Sequence, residues 1–238
     1  MSLNIQIVNG HVVVGSNSTS LASDGFTDGT TNPTQYLIIP SVSNEQKPID
    51  EIGSGAFYYY HNLITVQIEP SMKQLNQRCF QHCINLISVS IPFTVERIFK
   101  SAFDDCYELQ SVTFDVQNKL EILGYRAFDT CKKLSFLVLP GSIKFIGNEA
   151  FREIETNFSL YYFGTNTFSS ISRTTLFGQT NVNIYVPMNG ASSFANVPTI
   201  RISSLPLLPT TQCNSKITLS MKTLLIILLT LKKLPKQS

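Results

Sequence analysis

An Ala-Phe pair recurs along the chain as Ala56-Phe57, Ala102-Phe103, Ala127-Phe128 and Ala150-Phe151, with Cys79-Phe80 in the same register. The phenylalanines lie 23, 23, 25 and 23 residues apart. Five residues before each stands an aliphatic: Ile52, Leu75, Ile98, Leu123 and Ile146. Six after each, Leu63, Leu86, Leu109 and Leu134 recur, followed at fixed offsets by Val66/Ile68, Val89/Ile91, Val112/Phe114 and Leu137/Leu139. Met72, Val95, Leu120 and Ile143 complete the register. A unit this short cannot bury its apolar face alone, so copies must stack into an elongated array with a continuous core.

The unit can be written I-G-x-x-A-F-x-x-C-x-x-L-x-x-V-x-I-P-x-x-V-x-x, about 23 residues long. Its L-x-x-V-x-I part alternates with period two and predicts a short strand with one face inward. The A-F-x-x-C part has the i, i+3 spacing of a single helical or 3₁₀ turn. The fold class expected is therefore a β-rich, right-handed solenoid of short strands and single turns, capped at both ends. Gly53, Gly124 and Gly147 share one turn position, where a positive φ would favour glycine; Phe99 in the same slot does not fit that account. The two extra residues between Phe103 and Phe128 fall at Val116-Gln117-Asn118, a stretch expected to bulge as a loop.

The residues Ile52-Gly-x-x-Ala-Phe, Phe80-Gln-His-Cys-Ile-Asn-Leu-Ile-Ser-Val-Ser-Ile-Pro and Ile146-Gly-Asn-Glu-Ala-Phe resemble the BspA-type leucine-rich repeats of surface proteins from oral bacteria and mucosal protists. The resemblance covers about residues 36–187, from the entry strand Tyr36-Leu-Ile-Ile-Pro to the exit strand Asn183-Ile-Tyr-Val-Pro. Tyr60 and Ile154 depart from it by standing in cysteine slots. It implies a curved protein-binding scaffold, displayed at the cell surface as an adhesin or antigen that binds host-cell or extracellular matrix proteins. An intracellular scaffold or regulator using the same face is the alternative.

Charge narrows the options further. Of 238 residues, 43% are hydrophobic and only 14% charged, with a net charge of +2. Whole-chain disorder is excluded by the apolar content, and nucleic-acid binding is disfavoured by the weak charge. From residue 203 onward there are five lysines (Lys216, Lys222, Lys232, Lys233, Lys236) and no acid, which leaves residues 1–202 at 13 basic against 16 acidic. Four regions are expected: a β-rich cap and loop over 1–35, the solenoid over 36–165, a C-terminal cap over 166–202, and a basic, apolar tail over 203–238. The tail's apolar run Ile217–Leu231 is broken by Lys222 and is shorter than the roughly 20 residues a span requires. It is either a short membrane anchor, with membrane association through the tail, or a disordered or partner-bound segment. No secretory signal is visible at Met1-Ser-Leu-Asn-Ile-Gln-Ile, which leaves a cytoplasmic location as the alternative to the cell surface.

No catalytic constellation, metal set or cofactor motif is apparent, and a non-enzymatic role is expected. Cys83, Cys106 and Cys131 occupy one repeat slot and Cys79 an alanine slot, which reads as core packing, with disulfides between coils as the alternative. His61 and His82 fall at exposed turn positions, and Asp104-Asp105 at a solvated surface. The residues flanking the inward ones on each strand form two outward rows that are the candidate protein-binding positions: Thr65, Ser88, Ser111 and Phe136, then Gln67, Ser90, Thr113, Val138 and Tyr161, with Phe163 one step further. Ser159 extends the first row. Phe136, Val138, Tyr161 and Phe163 make an apolar patch on what is expected to be the concave face, unless the C-terminal cap folds over it. Tyr58 and Tyr59 are a second candidate contact, with Tyr60 in the core. The sequons at Asn17 and Asn157 matter only in a secreted chain.

Overall fold

The computed structural model describes residues 35–41, 48–115, 117–155 and 157–203, together with the backbone of two strands near the N-terminus. Those two, β1 (Ile5–Val8) and β2 (His11–Val14), form an antiparallel hairpin. Five coils follow, each pairing a long strand with a two-residue one. They are β3 (Tyr36–Ile39) and β4 (Glu51–Ile52), β5 (Thr65–Ile68) and β6 (Gln74–Leu75), β7 (Ser88–Ile91) and β8 (Arg97–Ile98), β9 (Ser111–Phe114) and β10 (Ile122–Leu123), β11 (Phe136–Leu139) and β12 (Phe145–Ile146). The chain then runs through β13 (Phe158–Tyr162), a short helix α1 (Arg173–Phe177), β14 (Val182–Pro187), the hairpin β15 (Ser193–Phe194) and β16 (Val197–Pro198), and β17 (Ile200–Ile202).

Strands from successive coils pair in parallel, as a solenoid requires. The short strands make one seven-stranded sheet, ordered β1-β2-β4-β6-β8-β10-β12. The long strands make two four-stranded sheets, β3-β5-β7-β9 and β11-β13-β14-β17. Val66, Val89 and Val112 stand in register and point inward, so the expected period-two pattern is realised. Between β9 and β11 the long-strand ladder is interrupted, in the coil that carries the two surplus residues. The short-strand sheet passes that point unbroken through the β10–β12 pairing.

The Ala-Phe corner explains how a coil turns so tightly. In the third coil the N–H groups of Ala102, Asp104 and Cys106 donate to the carbonyls three residues back, while those of Ser101, Phe103 and Asp105 donate to the next coil at Tyr125, Ala127 and Asp129. The expected 3₁₀-type bonds are thus present, interleaved one for one with bonds between coils. This alternation places two residues per coil at positive φ, two before and two after the phenylalanine: Arg78 and His82, Ser101 and Asp105, Arg126 and Thr130, Glu149 and Glu153. Side chains seldom adopt that region, and here the ladder between coils holds them in it.

The positive-φ explanation for the shared glycine slot is therefore corrected. Among the described glycines only Gly55 and Gly178 have positive φ. A Cβ on Gly124 would lie 2.5 Å from the Phe99 carbonyl carbon and 2.6 Å from Lys100 N, and one on Gly147 would strike the Tyr125 nitrogen. At Gly124 and Gly147 the backbone of the neighbouring coil comes too close for a Cβ, whereas Asn76 and Phe99 fill the same slot in earlier coils, where no positive φ is required of them.

Inside, the repeated phenylalanines form one column. Successive rings from Phe57 through Phe80, Phe103 and Phe128 to Phe151 are 5.1, 5.3, 5.3 and 6.3 Å apart and within 7° of parallel. Phe177 continues the column at 5.6 Å from Phe151. Leu176, Phe177 and Thr180 thus take the Ala, Phe and Cys slots of a further coil, inside the stretch expected to be the C-terminal cap. α1 is capped by the Ser172 hydroxyl, which accepts from Thr175 N at 3.0 Å.

Candidate protein-binding face

The outward residues of the long strands line up because every rung of the ladder is parallel and unshifted. Thr65 pairs with Ser88 and Ser88 with Ser111; Gln67 pairs with Ser90 and Ser90 with Thr113. Both rows therefore exist as expected in the first sheet, and a Thr65–Ser88 hydroxyl hydrogen bond of 3.2 Å ties two members of one row. Gln67 and Ser90 are exposed; Thr65, Ser88, Ser111 and Thr113 are half-buried. At the β3 end of this sheet Tyr36 and Ile38 extend the two rows, and both are strongly exposed.

In the second sheet Phe136 pairs with Ser159, and Val138 with Tyr161. Among the described residues the cap does not fold over this face. It continues it: β14 adds Tyr185 beside Tyr161, with rings 4.9 Å apart and nearly parallel, and β17 adds Ile200 beside Tyr185. That stack leaves Tyr161 only 6% exposed, with Phe136, Val138 and Phe163 half-buried and Ile200 at the rim. Burial raises the Tyr161 hydroxyl pKa above its usual value, with the neighbouring Tyr185 adding to the effect. Tyr185 and Ile200 were missing from the sequence-derived rows; their signal was the exit strand itself, whose alternation places Tyr185 outward.

Three other features complete the surface and its support. Tyr59 stacks on His82 at 4.3 Å, with Tyr58 edge-on beside them, and His82 Nδ1 lies 3.4 Å from Asp105 Oδ2. Tyr59 is exposed, while Tyr58, His61 and His82 are half-buried, and Tyr60 packs partly against the core.

Cys79, Cys83, Cys106 and Cys131 are free and fully buried, which agrees with core packing. Three of them do more than fill space. Cys83, Cys106 and Cys131 donate their thiol hydrogens to the Phe57, Phe80 and Phe103 carbonyls one coil earlier, at 3.1, 3.2 and 3.1 Å. Thr180 makes the same bond to the Phe151 carbonyl at 3.1 Å. Burial pushes all four thiols far above the range in which a cysteine becomes a nucleophile.

The surface placement expected for Asp104 is corrected: its side chain is buried, as is that of Asp129 in the equivalent slot of the next coil. The slot after each phenylalanine faces the neighbouring coil and carries Gln81, Asp104, Asp129 and Arg152 in sequence. Gln81 Nε2 donates to Asp104 Oδ2 at 2.9 Å, and the Arg152 guanidinium grips Asp129 through Nε at 3.2 Å and Nη2 at 2.7 Å. Burial, reinforced by Asp105 and Asp129, raises Asp104 to about 6. Burial also raises Asp129, against the opposing pull of Arg152. These groups are committed to one another, and among the described residues no set of three His, Cys, Asp or Glu side chains is placed to hold a metal.

An alternation of strands and turns every 23 or so residues, sharing one short-strand ladder and one aromatic column, defines a leucine-rich-repeat solenoid. The model of the BspA type leucine rich repeat region matches residues 35–157 and 112–206 with six copies, and the chain belongs to that family. Among solved structures it is similar to a leucine-rich-repeat protein of T. pallidum, with a TM-score of 0.60 and 21% identity over 77% of this chain and 78% of that one. It is also similar to a leucine-rich-repeat protein of Bacteroides ovatus, with a TM-score of 0.52 and 19% identity over 77% of this chain and 45% of that one. At such identities the likeness shows the fold. No curated protein matches the chain. Among the described residues no helix is long and apolar enough to cross a membrane, and the tail lies outside them.

Proposed function

We propose that the protein is a non-enzymatic binding scaffold that acts as a cell-surface adhesin, contacting host-cell or extracellular matrix proteins through its long-strand face. The observation that carries this reading is the pair of outward rows. Thr65, Ser88 and Ser111 with Gln67, Ser90 and Thr113 give a hydroxylated, uncharged half, and Phe136, Val138, Tyr161 and Phe163 give an aromatic half. Solenoids bind through such extended sheets, and aromatic residues are enriched where surfaces meet. Neither outward row holds a charged side chain, so nothing on this face asks for a charged ligand.

The test couples location with contact. Protease shaving of intact cells should remove the protein; protection until lysis counts against surface display. Beads coated with the full chain should be retained on immobilised matrix proteins or host cells. Gln67→Arg with Ser90→Arg, or Phe136→Ser with Phe163→Ser, should reduce retention while the melting curve shows the fold intact. Equal retention of both variants would remove this face from the mechanism.

A further inference from the structure

β12 is the last strand of the short-strand sheet, and no strand among the described residues pairs with its outer edge. One coil earlier, Glu121 O accepts from Lys144 and Phe145, and Leu123 O accepts from Gly147. The corresponding acceptors on β12 are Lys144 O and Ile146 O. Among the described residues no donor reaches either of them. Where the next short strand would lie, the loop 164–171 is drawn away toward the β15–β16 hairpin. Ala195 N donates to Thr167 O, and Asn196 Nδ2 reaches Ser169 O and Ile171 O at 3.4 and 3.3 Å. The loop's own Phe168 N is taken by Asn166 Oδ1 at 3.0 Å. The loop is thus tied to the cap, and a cleft of about 250 Å³ separates it from β12.

Two exposed aromatic rings border this cleft. Tyr125 and Phe145 are 47% and 42% exposed and meet edge to face, 5.9 Å apart. Asn148, Ser169 and Ser170 supply an uncharged polar rim, and the one lining cation, Lys144, is already paired with Glu121 at 2.7 Å. We propose that this cleft takes an extended peptide segment of a partner protein, added as an eighth strand beside β12. Its N–H groups two residues apart donate to Lys144 O and Ile146 O, repeating the rung that each earlier coil makes. An apolar side chain of the peptide lies against Tyr125 and Phe145. Strand addition of this kind draws affinity from main-chain bonds and specificity from alternate side chains. A sugar is the less suitable occupant: the two rings stand at 63° and offer no common plane for a pyranose face. The cleft is separate from the long-strand face, so either site can fail without the other.

The experiment selects short random peptides on the immobilised full chain and synthesises the enriched ones, unmodified and N-methylated at single residues. The expected result is binding that falls about tenfold or more in Tyr125→Ala/Phe145→Ala, and by a similar factor on methylation at two positions two residues apart. Phe136→Ser with Phe163→Ser should leave the affinity unchanged. Failure to enrich any peptide overturns the proposal. So does equal binding by the double variant, indifference to methylation at every position, or a glycan-array ligand lost in the double variant in place of a peptide.

Discussion

Replacing Asp104 with asparagine should make the protein more stable at neutral pH and leave it little changed in acid. The carboxylate is buried between coils and titrates at about 6 instead of 3.8, with desolvation as the main cause and Asp105 and Asp129 adding to it. A raised folded pKa means that the native state binds the proton more tightly than the unfolded chain does. Stability from this group is therefore complete below the unfolded value and is lost as pH rises toward the folded one. A shift of about two units corresponds to about 3 kcal/mol lost across that window, at about 1.4 kcal/mol per unit. Asparagine keeps an oxygen that can accept from Gln81 Nε2 and has no charge to desolvate. Urea denaturation of both proteins between about pH 3 and pH 7.5 gives the difference in unfolding free energy. That difference should be flat below about pH 4 and then rise to about 2–3 kcal/mol in favour of the variant by neutral pH. Subtracting wild type from variant removes the titration of carboxylates the two share. A flat difference throughout, or a variant that weakens as pH rises, would show that Asp104 is solvated or fully paired and refute the reasoning.

Arg152→Met leaves the Asp129 carboxylate buried without its guanidinium, and should cost about 3 kcal/mol at neutral pH, partly recovered in acid, as read by the same denaturation series. Phe103→Ala opens the middle of the aromatic column and should cost about 3–5 kcal/mol by urea denaturation. Gly124→Ala drives a methyl into the Phe99 carbonyl carbon and should cost about 1–3 kcal/mol, although alanine is ordinarily a neutral exchange on a surface turn. An unchanged midpoint for Gly124→Ala would mean that the coils separate freely at that point.

What could be read from the sequence was whatever the period forces. Val89, Ile91 and Leu86 recur because each must face the core, so strand positions, the phenylalanine column and the outward rows followed directly. What escaped was information carried by contacts between coils and not by the repeat itself. Asp104 looked like a variable surface residue because its slot holds Gln81, Asp129 and Arg152 elsewhere, and only the stacked structure shows that these four face one another. The complementary pair Asp129 and Arg152, 23 residues apart in one slot, was the available clue. The coil around Phe177 was hidden because leucine stands for alanine and threonine for cysteine. Thr180 shows why that exchange works: its hydroxyl makes the bond a thiol makes elsewhere. On the candidate face, Tyr161 was placed in the correct row, but its burial depends on a ring contributed by Tyr185 from beyond the last recognised repeat.

The interrupted ladder between β9 and β11 bears on how the solenoid comes apart. In a stacked array each coil is stabilised chiefly by its two neighbours, so the weakest junction sets the limits of cooperative opening. At this junction the long strands contribute no rung, and the coupling rests on the β10–β12 pairing, on the corner bonds from Arg126, Phe128 and Thr130 to the Asn148, Ala150 and Arg152 carbonyls, and on the Phe128–Phe151 contact, at 6.3 Å the widest in the column. The long strands therefore fall into two blocks, four on either side of a line that their ladder does not cross, in the coil that carries the two-residue insertion. A partner lying across both blocks would clamp that line shut, and one held by a single block would leave the other free to open.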